Sequence, residues 1–95
     1  MKTAYIDFIK FAIANKCTVS VWDGEEWQVK KSTKQNECIA AVKSVEEATI
    51  RVRDNNGKIV CAAYVSAYGL EPDETMIDWS DNQFGKDWEA QYFGE

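Results

Sequence analysis

The tightest constraint on this chain lies in residues 48–68. Ala48, Ile50 and Val52 alternate with Thr49, Arg51 and Arg53. Successive side chains on a strand point to opposite faces, so period two marks a half-buried strand and argues against a helix. Asp54-Asn55-Asn56-Gly57 follows, then a second apolar run from Lys58 to about Tyr68. A two-residue Asn56-Gly57 turn would pair Val52 with Cys61 and Ile50 with Ala63. That register collects small apolar residues on one face. It also sets Arg51 opposite Ala62 and Thr49 opposite Tyr64.

A second hairpin precedes it. Cys17, Val19 and Val21 alternate with Thr18, Ser20 and Trp22, and Asp23-Gly24 signals the turn. The return strand covers about Glu26–Lys31, with Trp27 and Val29 expected on one face. Turns of two, three or four residues all fit. Three is preferred, because it places Val21 opposite Trp27 and keeps both apolar sets on one side.

Helical spacing fills the gaps. Over residues 3–15, Tyr5, Ile9, Ala12 and Ile13 share a face that Ile6, Phe8 and Phe11 widen. Thr3 is the expected N-cap, and Asn15 is expected to end the helix in the left-handed conformation. A second helix is expected from the Ser32/Gln35 capping-box pattern to about Ser44, with Cys38, Ile39, Val42 and Val45 as its stripe. The order helix, two strands, helix, two strands predicts an α+β domain. Its expected form is a four-stranded antiparallel sheet (α-β-β-α-β-β) with the helices on one face and a short helical acidic C-terminal segment. The sequence has 95 residues, which suit one domain: a core over 1–69 and the segment 70–95.

Charge is distributed unevenly. The formal net is −5 with no histidine. Residues 1–68 carry ten Lys/Arg against eight Asp/Glu, a net of +2, whereas residues 69–95 carry Lys86 against eight carboxylates, a net of −7. An overall acidic chain is repelled by phosphate backbones, so direct nucleic-acid binding is disfavoured unless a local basic patch exists. The acidic segment also holds Trp79, Phe84, Trp88, Tyr92 and Phe93. Pro72 followed by Asp73 and Glu74 predicts a helix start. Ser80 or Asp81 is expected to cap a further short helix, with Gly85 a weak point inside it and Phe84, Trp88 and Tyr92 along one stripe. If the first helix continues, Glu74, Asp78 and Asp81 form a carboxylate row.

Two uses of this segment compete, with a disordered tail as a third possibility. Its aromatics can dock it on the domain while its carboxylates are merely solvated. Alternatively it is a partner-binding surface, in which Trp79, Phe84, Trp88 and Tyr92 anchor while Glu71, Asp73, Glu74, Asp78, Asp81, Asp87 and Glu89 steer toward a basic partner. A second candidate face is the outer side of the sheet, with Trp22, Arg51, Arg53, Val60 and Tyr64. Either the segment docks there or a protein does; the ordinary alternative is a half-wet face with cation–π cover.

Catalytic chemistry is not indicated. Without histidine the commonest general base and the Ser/His and Cys/His nucleophile pairs are missing. Cys17, Cys38 and Cys61 are odd in number and far apart, which suggests neither a disulfide framework nor a zinc site. Each falls on an apolar phase, so buried reduced thiols in a cytoplasmic protein are expected. No cofactor or metal is expected, and the glycines are too scattered for a phosphate loop. The apolar run after Lys2 imitates a signal peptide, but Asp7 and Lys10 interrupt it, and no run is long enough to span a membrane.

The segments FIKFAIANKCTVSVWDGEEWQVKKST, SVEEATIRVRDNNG and YGLEPDETMIDWSDNQF resemble those of small proteins encoded by tailed bacteriophages. The likeness covers most of the chain and carries no catalytic motif. It implies a host-takeover or accessory protein that binds and inhibits a host protein in the host cytosol. Two further readings are a DNA mimic, whose carboxylates occupy the channel of a basic nucleic-acid-binding or defence enzyme, and a structural or assembly component. Mimicry requires the carboxylates to share one face.

Overall fold

The computed structural model describes residues 3–66 and 71–94, without the side chain of Asp73. It is an α+β domain with five antiparallel strands and three helices: α1 (Ala4–Ala14), β1 (Thr18–Trp22), β2 (Trp27–Ser32), α2 (Gln35–Val45), β3 (Glu47–Arg53), β4 (Ile59–Ser66), a 3-10 turn (Pro72–Glu74), β5 (Met76–Trp79) and α3 (Gln83–Phe93). The strand order is β2-β1-β3-β4-β5. Because β1 is antiparallel to both β2 and β3, those two run the same way, and α2 makes the crossing between them. The expected end of β4 at Tyr68 lies outside the described residues.

All three helices lie on one face. α2 packs on β2, β1 and β3, α3 on β4, and α1 sits between them against β1. Val19, Val21, Ile50, Val52, Cys61, Ala63 and Val65 meet Phe8, Ile9, Val42 and Trp88 in one core. The molecule is only 21 Å thick, enough for one sheet and one helix layer of about 10 Å each. The other face of the sheet is therefore left without a covering layer. Among the described residues no helix is long and apolar enough to cross a membrane.

The β3–β4 register is as expected, with Val52 opposite Cys61, Ile50 opposite Ala63 and Thr49 opposite Tyr64. Its turn is not. Only Gly57 has positive φ (+86°), so Asn56 does not take the primed-turn conformation. Gly57 N–H bonds the Asp54 carbonyl at 3.0 Å, and the Asp54 carboxylate accepts from Asn56 and Lys58 N–H. This is a four-residue turn closed by a glycine bulge, and Arg53 pairs with Ile59 across it. Asp54, a side chain that satisfies two backbone donors, selects it over the two-residue turn.

The first hairpin corrects the expected pairing. Val21 lies opposite Val29, and Trp22 opposite Trp27. Asp23 folds over the turn and accepts from Glu25 and Glu26 N–H, both at 2.7 Å. Irregular pairing on either side of Val21 then sends Trp27 to the open face, away from Val29. The three backbone and side-chain donors around Asp23, those of Glu26, Glu25 and Gln28, hold its carboxyl below the usual range.

Capping also differs. Lys16 (φ 64°), and not Asn15, takes the left-handed position after α1. Cys17 N–H bonds Ala12 O and Lys16 N–H bonds Ile13 O, a Schellman closure. Lys16→Gly should therefore raise stability by about 0.5–1 kcal/mol, read as a higher urea midpoint with unchanged slope. Thr3 stands at the α1 N-cap without a side-chain bond. Tyr5 N–H is instead satisfied by Thr75 Oγ1 at 3.2 Å, from 70 residues away. The Ser32/Gln35 box does not form. Ser32 still belongs to β2, and its hydroxyl accepts from Lys34 N–H before α2 begins.

The largest correction is the fifth strand. The helix expected from Pro72 stops after one turn, where Thr75 Oγ1 bonds Pro72 O. Residues 76–79 then pair with β4, Met76 beside Val65 and Trp79 beside Ala63. The demand to complete β4 and cover its end of the core overrides the local helix signal. Glu74, Asp78 and Asp81 consequently form no helical row.

Candidate functional site

The C-terminal segment separates its two residue classes. Trp88 is fully buried and Tyr92 is buried. Phe84 and Trp79 are partly buried against the core. Trp88 lies edge-on to Phe8 at 5.4 Å and to Trp79 at 5.1 Å, stacks on Tyr92 at 5.2 Å, and donates from Nε1 to Asp7 at 3.0 Å. α3 starts at Asn82, not Ser80 or Asp81. The Asn82 side chain accepts from Gly85 N–H and donates to Val60 O, which ties the helix start to β4. Of the four aromatics expected as partner anchors, Trp88 and Tyr92 are thus spent on the fold and have no surface to offer, whereas Trp79 and Phe84 keep part of theirs.

The carboxylates remain outside. Glu71, Glu74, Asp78, Asp81 and Asp87 are exposed, and Glu89 is half-buried. They do not share one face. Asp78, Asp81 and Glu89 converge with Ile77 and Trp79 on a concavity of about 260 Å³ at the outer edge of β5. Asp87 turns to a different groove, of about 500 Å³, that includes Asn15, Cys17, Lys58 and Phe84. The Asp73 carboxylate lies outside the described atoms. Ile77 sits among the three convergent carboxylates with 49% of its surface exposed. The Asp78 carboxylate also accepts from Trp79 N–H at 3.0 Å, occupying one backbone donor of this edge strand. Asp81 has a long, exposed contact to Lys86 at 3.9 Å, of the kind worth little in water.

The open sheet face carries the second candidate set. Trp22 and Trp27 meet edge-to-face at 5.0 Å, and the Arg51 guanidinium lies 5.2 Å from the Trp27 ring. Arg53 donates to Ser20 Oγ at 3.2 Å, and Lys31 N–H donates to the same oxygen. Ser20, Trp27, Lys30, Lys31 and Arg53 line a recess of about 240 Å³. Val60, expected on this face, instead packs against the core and borders the Asp87 groove, because the bulge opposite Val52 and Arg53 pairs Arg53 with the exposed Ile59. Tyr64, on β4, reaches back to β3 and donates to Glu47 at 2.7 Å; that bond, with lesser help from desolvation and the charge of Glu47, holds its phenol above the ordinary pKa. The acidic segment does not cover the Trp22–Arg51 side: β5 borders β4, three strands from β2.

Sequence reasoning missed Ile77, Trp27 and the Lys30-Lys31 pair. The lysines were legible as an unbalanced pair at a strand end. Trp27 was misplaced by the hairpin register, and Ile77 was hidden by the expected helix.

The three thiols are buried and unpaired. Burial is the leading cause that raises each above the ordinary thiol value. Less thiolate forms at neutral pH, so a bulky disulfide reagent should label the native protein far more slowly than the urea-unfolded chain. Cys17, bordering the Asp87 groove, should react first. Equal native and unfolded rates would contradict the packing. Among the described residues no metal-ligating cluster converges.

No family model matches the chain, and neither a curated protein nor a solved structure is significantly similar to it.

Proposed function

We propose that this chain is a non-enzymatic accessory protein of the phage type, which binds a basic surface of a host protein in the cytosol and inhibits it by occupancy. The observation that carries this reading is Ile77, a large apolar side chain half exposed on an edge strand and ringed by Asp78, Asp81 and Glu89. An apolar anchor inside a charged rim has the anatomy of a protein contact: the anchor supplies affinity, the rim steers and selects. The partner should present a small apolar side chain flanked by Lys or Arg. DNA mimicry is less well supported, because Asp87 turns away from the other three carboxylates. An assembly role through the free β5 edge is opposed by the Asp78 side chain, which takes one of its donors.

The test is capture from host lysate on the immobilised protein, followed by competition. Wild type should retain one basic protein, and duplex DNA at moderate salt should not displace it. Ile77→Ala should weaken that complex by about 1–2 kcal/mol. Retention unaffected by Ile77→Ala, or displacement by duplex DNA, would move the interface elsewhere or favour mimicry.

A further inference from the structure

The open face at the β2 edge has chemistry opposite to that of the protein as a whole. Lys30, Lys31, Arg51 and Arg53 gather there around the Trp22–Trp27 pair. Among the described residues none lies within 4 Å of a carboxylate. Among the described residues the one ion pair within 4 Å is Lys86–Asp81, on the far side of the molecule. The carboxylates nearest in sequence, Asp23, Glu25 and Glu26, lie in the turn beyond Trp22 and Trp27, so the four cations form a basic patch further along the strands in a chain of net −5.

The acidic edge does not cancel it. β2 and β5 are opposite edges of a five-stranded sheet. Four strand spacings separate them by about 19 Å. That is roughly twice the Debye length at 0.1 M salt, so each edge presents its own charge to a ligand.

The geometry is that of an extended track. Trp22 and Trp27 stand at one end of the β1–β2 pair. Ser20 is two residues along β1 from Trp22, with Arg51 directly across on β3. Thr18 and Arg53 are one two-residue step further, each step being about 6.8 Å. Aromatic rings are therefore followed by Arg51 and then Arg53, one two-residue step apart, along a sheet face with no helix above it. Ser20, 2% exposed, holds the Arg53 guanidinium and the Lys31 backbone with its hydroxyl, which fixes part of the track in place.

We propose that this face binds single-stranded nucleic acid, with bases against Trp22 and Trp27 and phosphates over Lys30, Lys31, Arg51 and Arg53. Stacking platforms beside cations suit unpaired bases, which expose ring faces that a duplex hides. An acidic peptide would satisfy the cations but leave the indole pair without a role. The overall acidity that disfavours duplex binding does not oppose a short, local contact of this kind.

The experiment titrates an oligothymidylate of about a dozen nucleotides into the full chain, following tryptophan emission. Trp88 is fully buried, so quenching reports on Trp22 and Trp27 and on the half-buried Trp79 of β5, and the Trp22→Phe protein separates the two edges. Binding should quench emission. It should also weaken roughly twenty- to fifty-fold between about 50 and 200 mM salt, as expected for three or four neutralised phosphates on a single strand. Lys30→Glu should weaken binding about tenfold or more; Lys30 is exposed and bonded to nothing, so this variant should fold normally. Trp22→Phe should reduce the quench. A duplex of the same length and polyglutamate of matching charge should bind much more weakly. No binding of oligothymidylate overturns the proposal. So does equal binding of the duplex or of polyglutamate, or a Lys30→Glu protein that binds as wild type does.

Discussion

Trp88→Ala should come close to unfolding the domain. The indole is fully buried, touches Phe8, Trp79 and Tyr92, and donates to Asp7 across 81 residues of sequence. Truncating a core tryptophan costs about 3–5 kcal/mol. The lost bond adds to this, since the Asp7 carboxylate loses a donor. A domain of this size has about 5–15 kcal/mol in all. The melting temperature should therefore fall by tens of degrees. Trp88→Phe should fall between, as it keeps most of the ring area and loses the Asp7 bond. A Trp88→Ala protein that melts within a few degrees of wild type would mean that α3 is not part of the core.

Gly85→Ala should be nearly as damaging, although alanine is the better helix former by about 1 kcal/mol. A β-carbon at residue 85 would lie 2.1 Å from the Ser80 carbonyl oxygen and 3.2 Å from Trp79 Cδ1. The oxygen cannot swing aside freely. Ser80 N–H bonds Ala62 O at 2.9 Å, and Ser80 Oγ accepts from Ala62 N–H at 3.0 Å, so the residue is clamped to β4. Relief requires α3 to move off β5, which would disturb Trp88. Overpacking of this kind costs about 1–3 kcal/mol, and a clash with fixed backbone belongs at the upper end. The sign is the informative part: helix propensity alone predicts stabilisation, and the observed close approach predicts loss. A urea titration distinguishes them.

Gly85 also shows what the sequence could and could not reveal. As a local feature it reads as a flaw in a helix. Its purpose depends on Ser80, placed by the pairing of a strand that local signals assigned to a helix. Pro72-Asp73-Glu74 is a good helix start, and nothing nearby reveals that β4 lacks a neighbour. The alternating runs behaved differently. In residues 48–66 period two and burial agree, so the register from Val52–Cys61 to Thr49–Tyr64 was readable. The first hairpin was not, because Asp23 stabilises a turn that shifts Trp27 by one position, and one position changes its face. The candidate site followed the same division. Charge clustering pointed to Asp78, Asp81 and Glu89, which do converge. The segment's aromatics divide: Trp88 and Tyr92 are buried, closing a core that residues 1–69 do not complete alone, whereas Trp79 lines the same edge as the carboxylates.

The central claim is that the segment after residue 70 divides its labour, Trp88 and Tyr92 for the fold and the Asp78, Asp81 and Glu89 edge for contact. The direct measurement is the association rate of the captured partner with wild type and with the Asp78→Lys/Asp81→Lys/Glu89→Lys protein, each over a salt series and each with its melting curve. The expected result is a variant that melts within a few degrees of wild type, because these side chains lie outside the core, yet associates at least tenfold more slowly at low salt and loses the wild-type salt dependence. An unchanged association rate and salt dependence in a folded triple variant would contradict the claim and reduce the acidic edge to a solvated surface.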